Sequence, residues 1–234
     1  MPITNYIANS RISQAGVCTS STRPASPYEG QVIYETDTDR VLVWNNSAWV
    51  DPSTGRTGRS GYVKITPTSA TNGTVGTNGD VTFSAVGSGD INNCFTDDFA
   101  NYRIMFTGEH SSATATAMYL QLRIGSTTAG GTGYFYNRVR ETTSSGPTRS
   151  WLSLQDKWEI GQVGDIYNII TIDFTQPNVA KETVGTVHAS GFGDSTASFD
   201  KYDILHTVAT AYDSVAWSLA SGTFTGTFAV YGYN

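Results

Sequence analysis

The chain has 234 residues and a net charge of −6, with charged residues at only 15% and apolar residues at 38%. That balance excludes the high charge density of a disordered polymer, and the lack of any Lys/Arg cluster excludes the basic stripe that a phosphate backbone requires. The 24 Gly and 13 Tyr, together with abundant Thr and Ser, point to an all-β protein with many turns, because Thr and Tyr suit a pleated surface and Gly punctuates it.

The first residues, MPITNYIANSRIS, hold no signal-peptide core, and no run approaches the roughly 20 apolar residues of a membrane span. A soluble protein made in a cytoplasm, without membrane insertion, is therefore expected. Residues 1–29 show no sustained period. Arg23-Pro24 and Ser26-Pro27 favour extended backbone, since proline pushes its predecessor out of the helical region. We read 1–29 as an extended N-terminal arm.

Residues 30–52 contain three short apolar runs separated by ETDTD and NNS, which predicts a three-strand β-ribbon with two tight turns. In its second strand Arg40, Leu42 and Trp44 face one way and Val41 and Val43 the other. Both faces carry apolar groups, so the ribbon is expected to bury one of them against copies of itself, another protein or the neighbouring domain of its own chain. Val32, Tyr34, Val41, Val43, Trp44 and Trp49 are its candidate oligomerisation or attachment residues. Residues 53–60, rich in Gly, Ser, Thr and Arg, read as a linker.

From residue 61 to 234 the pattern is a long series of period-two segments. Tyr102, Ile104 and Phe106 share a face, as do Met118, Leu120, Leu122 and Ile124. Ile166, Ile170, Ile172 and Phe174 alternate against Tyr167, Thr171 and Asp173. Phe224, Phe228 and Val230 form one side of a last strand that ends at the chain terminus and belongs to the fold. Gly226 within it predicts a bulge or a close backbone approach. Each buried side chain is worth roughly 1.5–3 kcal/mol, which fixes register. Turn clusters such as TNGTVGTNGD and GSTTAGGTG separate the segments, predicting a β-sandwich, jelly-roll-like, for 61–234.

Catalytic templates return little. His206 lies on the face of Tyr202, Ile204 and Val208 and reads as a core histidine, while His110 falls in a loop-like EHSSATAT stretch beside several serines. Paired carboxylates for glycoside hydrolysis would have to come from Asp97 with Asp98, Asp156 with Glu159, or Asp194 with Asp200. Acids at these places are also the ordinary ends of strands. Glu35-Thr36-Asp37-Thr38-Asp39 alternates oxygens like the start of a calcium loop but lacks its turn glycine and distal glutamate. Gly130-Gly131-Thr132-Gly133 precedes no helix and makes no phosphate cradle. Cys18 and Cys94 share no motif spacing and are expected unpaired. The expectation is no catalytic residue, no metal and no cofactor.

The stretch STRPASPYEGQVIYETDTDRVLVWNNSAWV resembles a short module of tail-fibre and other structural proteins of tailed bacteriophages, cyanophages especially. The matching residues are Thr22-Arg23-Pro24, Pro27, Gly30-Gln31, Ile33-Tyr34, Thr36 to Asp39 and Trp44 to Trp49, with Asn46 at a turn position usually held by glycine. The segments from Phe95 to Gly108, Ser111 to Asn137 and Ser221 to Asn234 are similar, more loosely, to a β-sandwich domain of virion fibres and decoration proteins. The resemblance implies a non-enzymatic virion structural protein assembled in the host cytoplasm, most simply a tail fibre whose sandwich head contacts the host. A capsid decoration or head-fibre protein is the alternative, and a glycan-processing enzyme a remoter one. It also implies a homotrimer joined through the ribbon, other virion proteins as N-terminal partners, and no nucleic acid. If the head binds a host glycan or protein, Tyr134, Phe135, Tyr136 and Asn137 beside the Gly-rich loop are the candidate contacts, with internal packing as the competing reading.

Overall fold

The computed structural model describes residues 16–52, 61–143, 145–192 and 197–234. The chain divides into two compact units, 1–59 and 60–234, and every regular element among the described residues is a β-strand.

The first unit is a four-stranded sheet in the order β1-β2-β3-β4, built from β1 (Gly16–Cys18), β2 (Val32–Glu35), β3 (Arg40–Trp44) and β4 (Trp49–Val50). The last three are the strands expected from residues 30–52. The first corrects the reading of 1–29 as an arm: Gly16, Val17 and Cys18 pair in parallel with Ile33, Tyr34 and Glu35. Three residues are too few to show a period, and a parallel partner lies beyond a crossover that no local pattern reveals. Residues 1–15 and the linker at 53–60 lie outside the described residues. The turn residues behave as their chemistry dictates. Asn46 and Asp39 both adopt the left-handed conformation, and the Asn45 side-chain oxygen accepts the Ser47 and Ala48 amides at 3.1 and 2.8 Å, which closes the turn between Trp44 and Trp49.

The second unit is a β-sandwich. Its strands are, in chain order, β5 (Val63–Ile65), β6 (Ser69–Thr71), β7 (Gly73–Val75), β8 (Val81–Val86), β9 (Ser88–Asn92), β10 (Asn101–His110), β11 (Thr116–Ile124) and β12 (Thr127–Thr128). They continue with β13 (Tyr134–Thr142), β14 (Ser145–Gln155), β15 (Trp158–Val163), β16 (Tyr167–Thr175), β17 (Lys181–Phe192), β18 (Ala197–Thr210), β19 (Ser214–Leu219) and β20 (Phe224–Tyr233). A ten-stranded sheet runs β14-β13-β18-β17-β16-β10-β20-β8-β7 with β5 also on β20, and a six-stranded sheet runs β12-β11-β19-β9-β6 with β15 also on β11.

Alternation decides which residues fill the space between the sheets. Tyr102, Ile104 and Phe106 are buried, as are Met118, Leu120 and Leu122, Ile170, Ile172 and Phe174, and Phe224, Phe228 and Val230. Aromatic rings tie the two layers: Trp217 of the smaller sheet meets Phe83 and Phe106 at 5.0 and 6.2 Å, and Trp158 meets Tyr134 and Phe174 at 4.8 and 5.8 Å. The first three of these pairs are edge-to-face, a geometry that adds to the area they bury. Three expected core positions are exposed instead. Ile124 sits at the last residue of β11, Ile166 precedes β16, and Val208 lies where β18 has run past β13 and its register with β17 shifts. Alternation continues in sequence beyond the point where the opposite sheet ends. Two residues on from Ile166, Asn168 is the first buried residue of that face, and its side-chain amide bridges Gly108 and Gly164.

The last strand lies inside the sheet, between β10 on one side and β8 and β5 on the other. Gly226 is opposite Gly108 on β10, and a Cβ added at Gly226 would come within 2.2 Å of the Thr107 carbonyl oxygen. On its other side the ladder with β8 shifts register between Phe224 and Gly226. Both expected roles of this glycine, bulge and close approach, are present.

Candidate functional site

In the first unit the pairings separate two faces. Ile33 lies opposite Leu42, Glu35 opposite Arg40, and Trp44 opposite Trp49, so these residues share one side. Ile33, Glu35 and Leu42 are buried there. Arg23, carried over this face by the connection from β1 to β2, bonds the Glu35 carboxylate, and Thr38 donates to its other oxygen at 2.8 Å. The Arg23 bond holds Glu35 below the usual carboxylate range. Asp37 is likewise held low by the Ser20 hydroxyl and amide, and Asp39 accepts the Tyr34 hydroxyl. Glu35 and Asp37 thus fasten the crossover to the sheet, while Asp39 closes back on β2.

The opposite face carries Val17, Val32, Tyr34, Val41, Val43 and Val50. Val17 is 72% exposed and Val41 45%, and none of the six is buried. The six residues expected to act together therefore divide. Val32, Tyr34, Val41 and Val43 form this apolar face, while Trp44 and Trp49 sit on the covered side with ring centroids 5.6 Å apart. The sequence signal for Val17 and Val50 was absent, because each lies on a strand of three residues or fewer.

The candidate contacts at 134–137 also divide. Tyr134 and Tyr136 are buried between the sheets. The Tyr134 hydroxyl donates to the Ala129 carbonyl and accepts the Leu122 amide, both at 3.0 Å. Burial pushes the Tyr136 hydroxyl up to about 12. The expectation that these two meet a receptor is corrected: they sit on a strand, not a loop tip, and their parity points them inward. Phe135 and Asn137 alternate to the outer face of the wide sheet, where both are half-buried.

Of the acids considered for hydrolysis, Glu159 and Asp200 are brought together, although they are not an expected pair. Glu159 on β15 bonds Arg138 and Arg140 of β13 at 2.9 and 2.8 Å, and Arg140 bonds Asp200 of β18 at 2.6 Å. Burial works against the Arg140 charge, but the Asp200 bond and the surrounding acids raise its pKa overall. The nearby Tyr202 hydroxyl is driven up by burial and by Glu159. This is an ion-pair network that joins the two sheets through the interior, not two acids flanking an open cleft. Asp194 lies outside the described residues.

His206 is fully buried, as expected, with Nδ1 3.1 Å from the Tyr212 hydroxyl and rings of Tyr134 and Trp158 around it. Burial lowers its pKa. His110 is not in a loop. It ends β10, is buried, and its ring nitrogens meet the Ser112 and Ser221 carbonyls at 3.2 and 2.9 Å, so it has backbone partners rather than a serine nucleophile. Cys18 and Cys94 are unpaired.

On the outer face of the wide sheet, sequence reasoning missed Trp151, Arg149, Lys201 and Asp203. All four are exposed. The signal was present in TRSWLSLQ, where Trp151 alternates out of phase with Leu152, but its neighbours on β13 and β18 come from distant sequence. No family model matches the chain, and no curated protein matches it.

Proposed function

We propose that this chain is a non-enzymatic structural protein of a tailed-phage virion, of the tail-fibre type, in which the first unit assembles and the sandwich is the outward head. The observation that carries this reading is the bare apolar face of the first unit, within the very stretch whose motif residues resemble the fibre module. This small sheet has one face covered by its own crossover and a second on which Val17 and Val41 are exposed and the other four side chains half-buried. Val17, Val32, Tyr34, Val41, Val43 and Val50 on that second face gain most by packing against copies of themselves. Three such sheets around an axis bury the face on every copy and leave no open end.

Light scattering on the purified full chain tests it. A mass of three chains is expected, falling to one chain in the Val41→Ser, Val43→Ser variant. A single-chain mass for the unaltered protein would overturn assembly through this face. Immunogold labelling of particles separates a tail fibre, labelled at the tail, from a capsid decoration protein, labelled over the head.

A further inference from the structure

The three strands β14, β13 and β18 lie side by side at one edge of the wide sheet. Their register places two rows across the outer face. Trp151, Asn137 and Asp203 are directly opposite one another, and the next row is Arg149, Val139 and Lys201. Residues opposite one another share a face, and strands spaced about 4.8 Å apart put Arg149 and Lys201, like Trp151 and Asp203, about 10 Å apart at their Cα atoms.

Trp151 is 69% exposed, whereas Trp158 and Trp217 are buried and Trp44 and Trp49 pack against each other with tilted rings. Among the described residues no ring or cation lies against it. Arg149 and Lys201 have no ion-pair partner among the described residues either, although the chain carries a charge of −6. A free indole face, an amide, a carboxylate and two unpaired cations therefore converge on one flat strip.

We infer that this strip binds an acidic saccharide, a glycan bearing uronate-type carboxylates. The C–H face of a sugar ring stacks on Trp151, as apolar faces stack on indole. Asn137 and Asp203 take hydroxyls as donor and acceptor. Arg149 and Lys201 meet the ligand carboxylates, with Arg149 able to do so through two parallel bonds. The combination selects against the alternatives. A neutral glycan leaves both cations unused. A nucleic-acid strand is held by a stripe of many cations along its backbone, and this strip offers two. The inference deepens the reading of the sandwich as an outward head and rests on it. Copies held together by the first unit would multiply a weak single site.

The test uses the full chain and three probes: oligogalacturonate, maltohexaose as a neutral saccharide, and oligothymidylate. Binding is followed by tryptophan fluorescence and by titration calorimetry. Oligogalacturonate is expected to bind saturably and in preference to both other probes. Trp151→Ala should weaken it about tenfold, the loss of one stacked ring. The double variant Arg149→Gln, Lys201→Gln should erase the preference for the acidic over the neutral saccharide. All three side chains are exposed, so the variants keep the fold, and circular dichroism checks this. Equal binding of maltohexaose, tighter binding of oligothymidylate, no binding of oligogalacturonate, or a Trp151→Ala variant that binds as the unaltered protein would each overturn the proposal. The oligomer mass is measured separately, so failure here is distinguishable from failure of the assembly reading.

Discussion

The two units solve one problem in opposite ways. The sandwich hides its apolar faces by folding one sheet against another, and its core of buried aromatics and aliphatics is continuous. Among the described residues of the first unit only Ile33 and Leu42 are buried apolar side chains, and part of that small interior is a carboxylate tied to Arg23. The sandwich is thus closed upon itself, whereas the small sheet is fastened by polar bonds on one side and bare on the other. A region too small to bury both faces is the natural place for contact with other chains.

That contrast is sharpened by mutation. The largest effect is expected at Gly226, where alanine would drive its Cβ to 2.2 Å from the Thr107 carbonyl in a strand with neighbours on both sides. Gly226→Ala should cost about 4 kcal/mol or more and unfold the sandwich, read by urea denaturation, while amide resonances of the first unit persist. Next comes Arg140→Met, which strands Asp200 in the interior and leaves Glu159 with Arg138 alone; it should cost about 3–5 kcal/mol, by the same measurement. In the first unit, Leu42→Ala removes half of the buried apolar pair. It should cost about 2–4 kcal/mol, enough to melt the small sheet and release Trp44 and Trp49 to solvent while the sandwich keeps its denaturation midpoint. If both units lost structure together in either case, the comparison would fail.

Acid should separate the units more gently. The folded sandwich resists protonation at His206, whose pKa burial lowers, while the unfolded chain takes up that proton near pH ~6.5. The His206 contribution is therefore complete above ~6.5 and is lost as pH falls below it. Glu35 and Asp37 are also depressed, by Arg23 and Ser20. Their contribution is present above the ordinary carboxylate range of ~4 and is lost as pH falls through it. Between these ranges the sandwich should weaken while the first unit does not, and His206→Gln should flatten the sandwich's response, as followed by amide NMR across the titration. The smallest effect is expected at Asn46, already left-handed at φ 74°: Asn46→Gly should change the stability of the first unit by less than about 1 kcal/mol, measured by thermal melting.

Much of this molecule was legible before its structure. The sandwich strands carry two-residue alternation, and Tyr102, Phe106, Phe174 and Phe228 fell on the buried face because alternation and burial are the same fact seen twice. The glycine at 226 and the asparagine at 46 could be read because each answers a local backbone requirement. What could not be read was whatever depends on a distant partner. Val17 joined the small sheet through a parallel pairing across a crossover. Tyr134 and Asn137, three residues apart in one run of candidate contacts, went to opposite faces once the strand's parity was fixed by the core.

The sequence by itself determined that the chain is all-β, where the small ribbon's turns fall, and which side of each long strand is apolar, since period and turn chemistry are local. Only the tertiary structure decided that Arg140 links Glu159 to Asp200, that one face of the first unit stays bare, and that Trp151, Asn137 and Asp203 stand in one row. Strand order brings together residues that sequence keeps far apart, and no local preference encodes which strand will lie beside which.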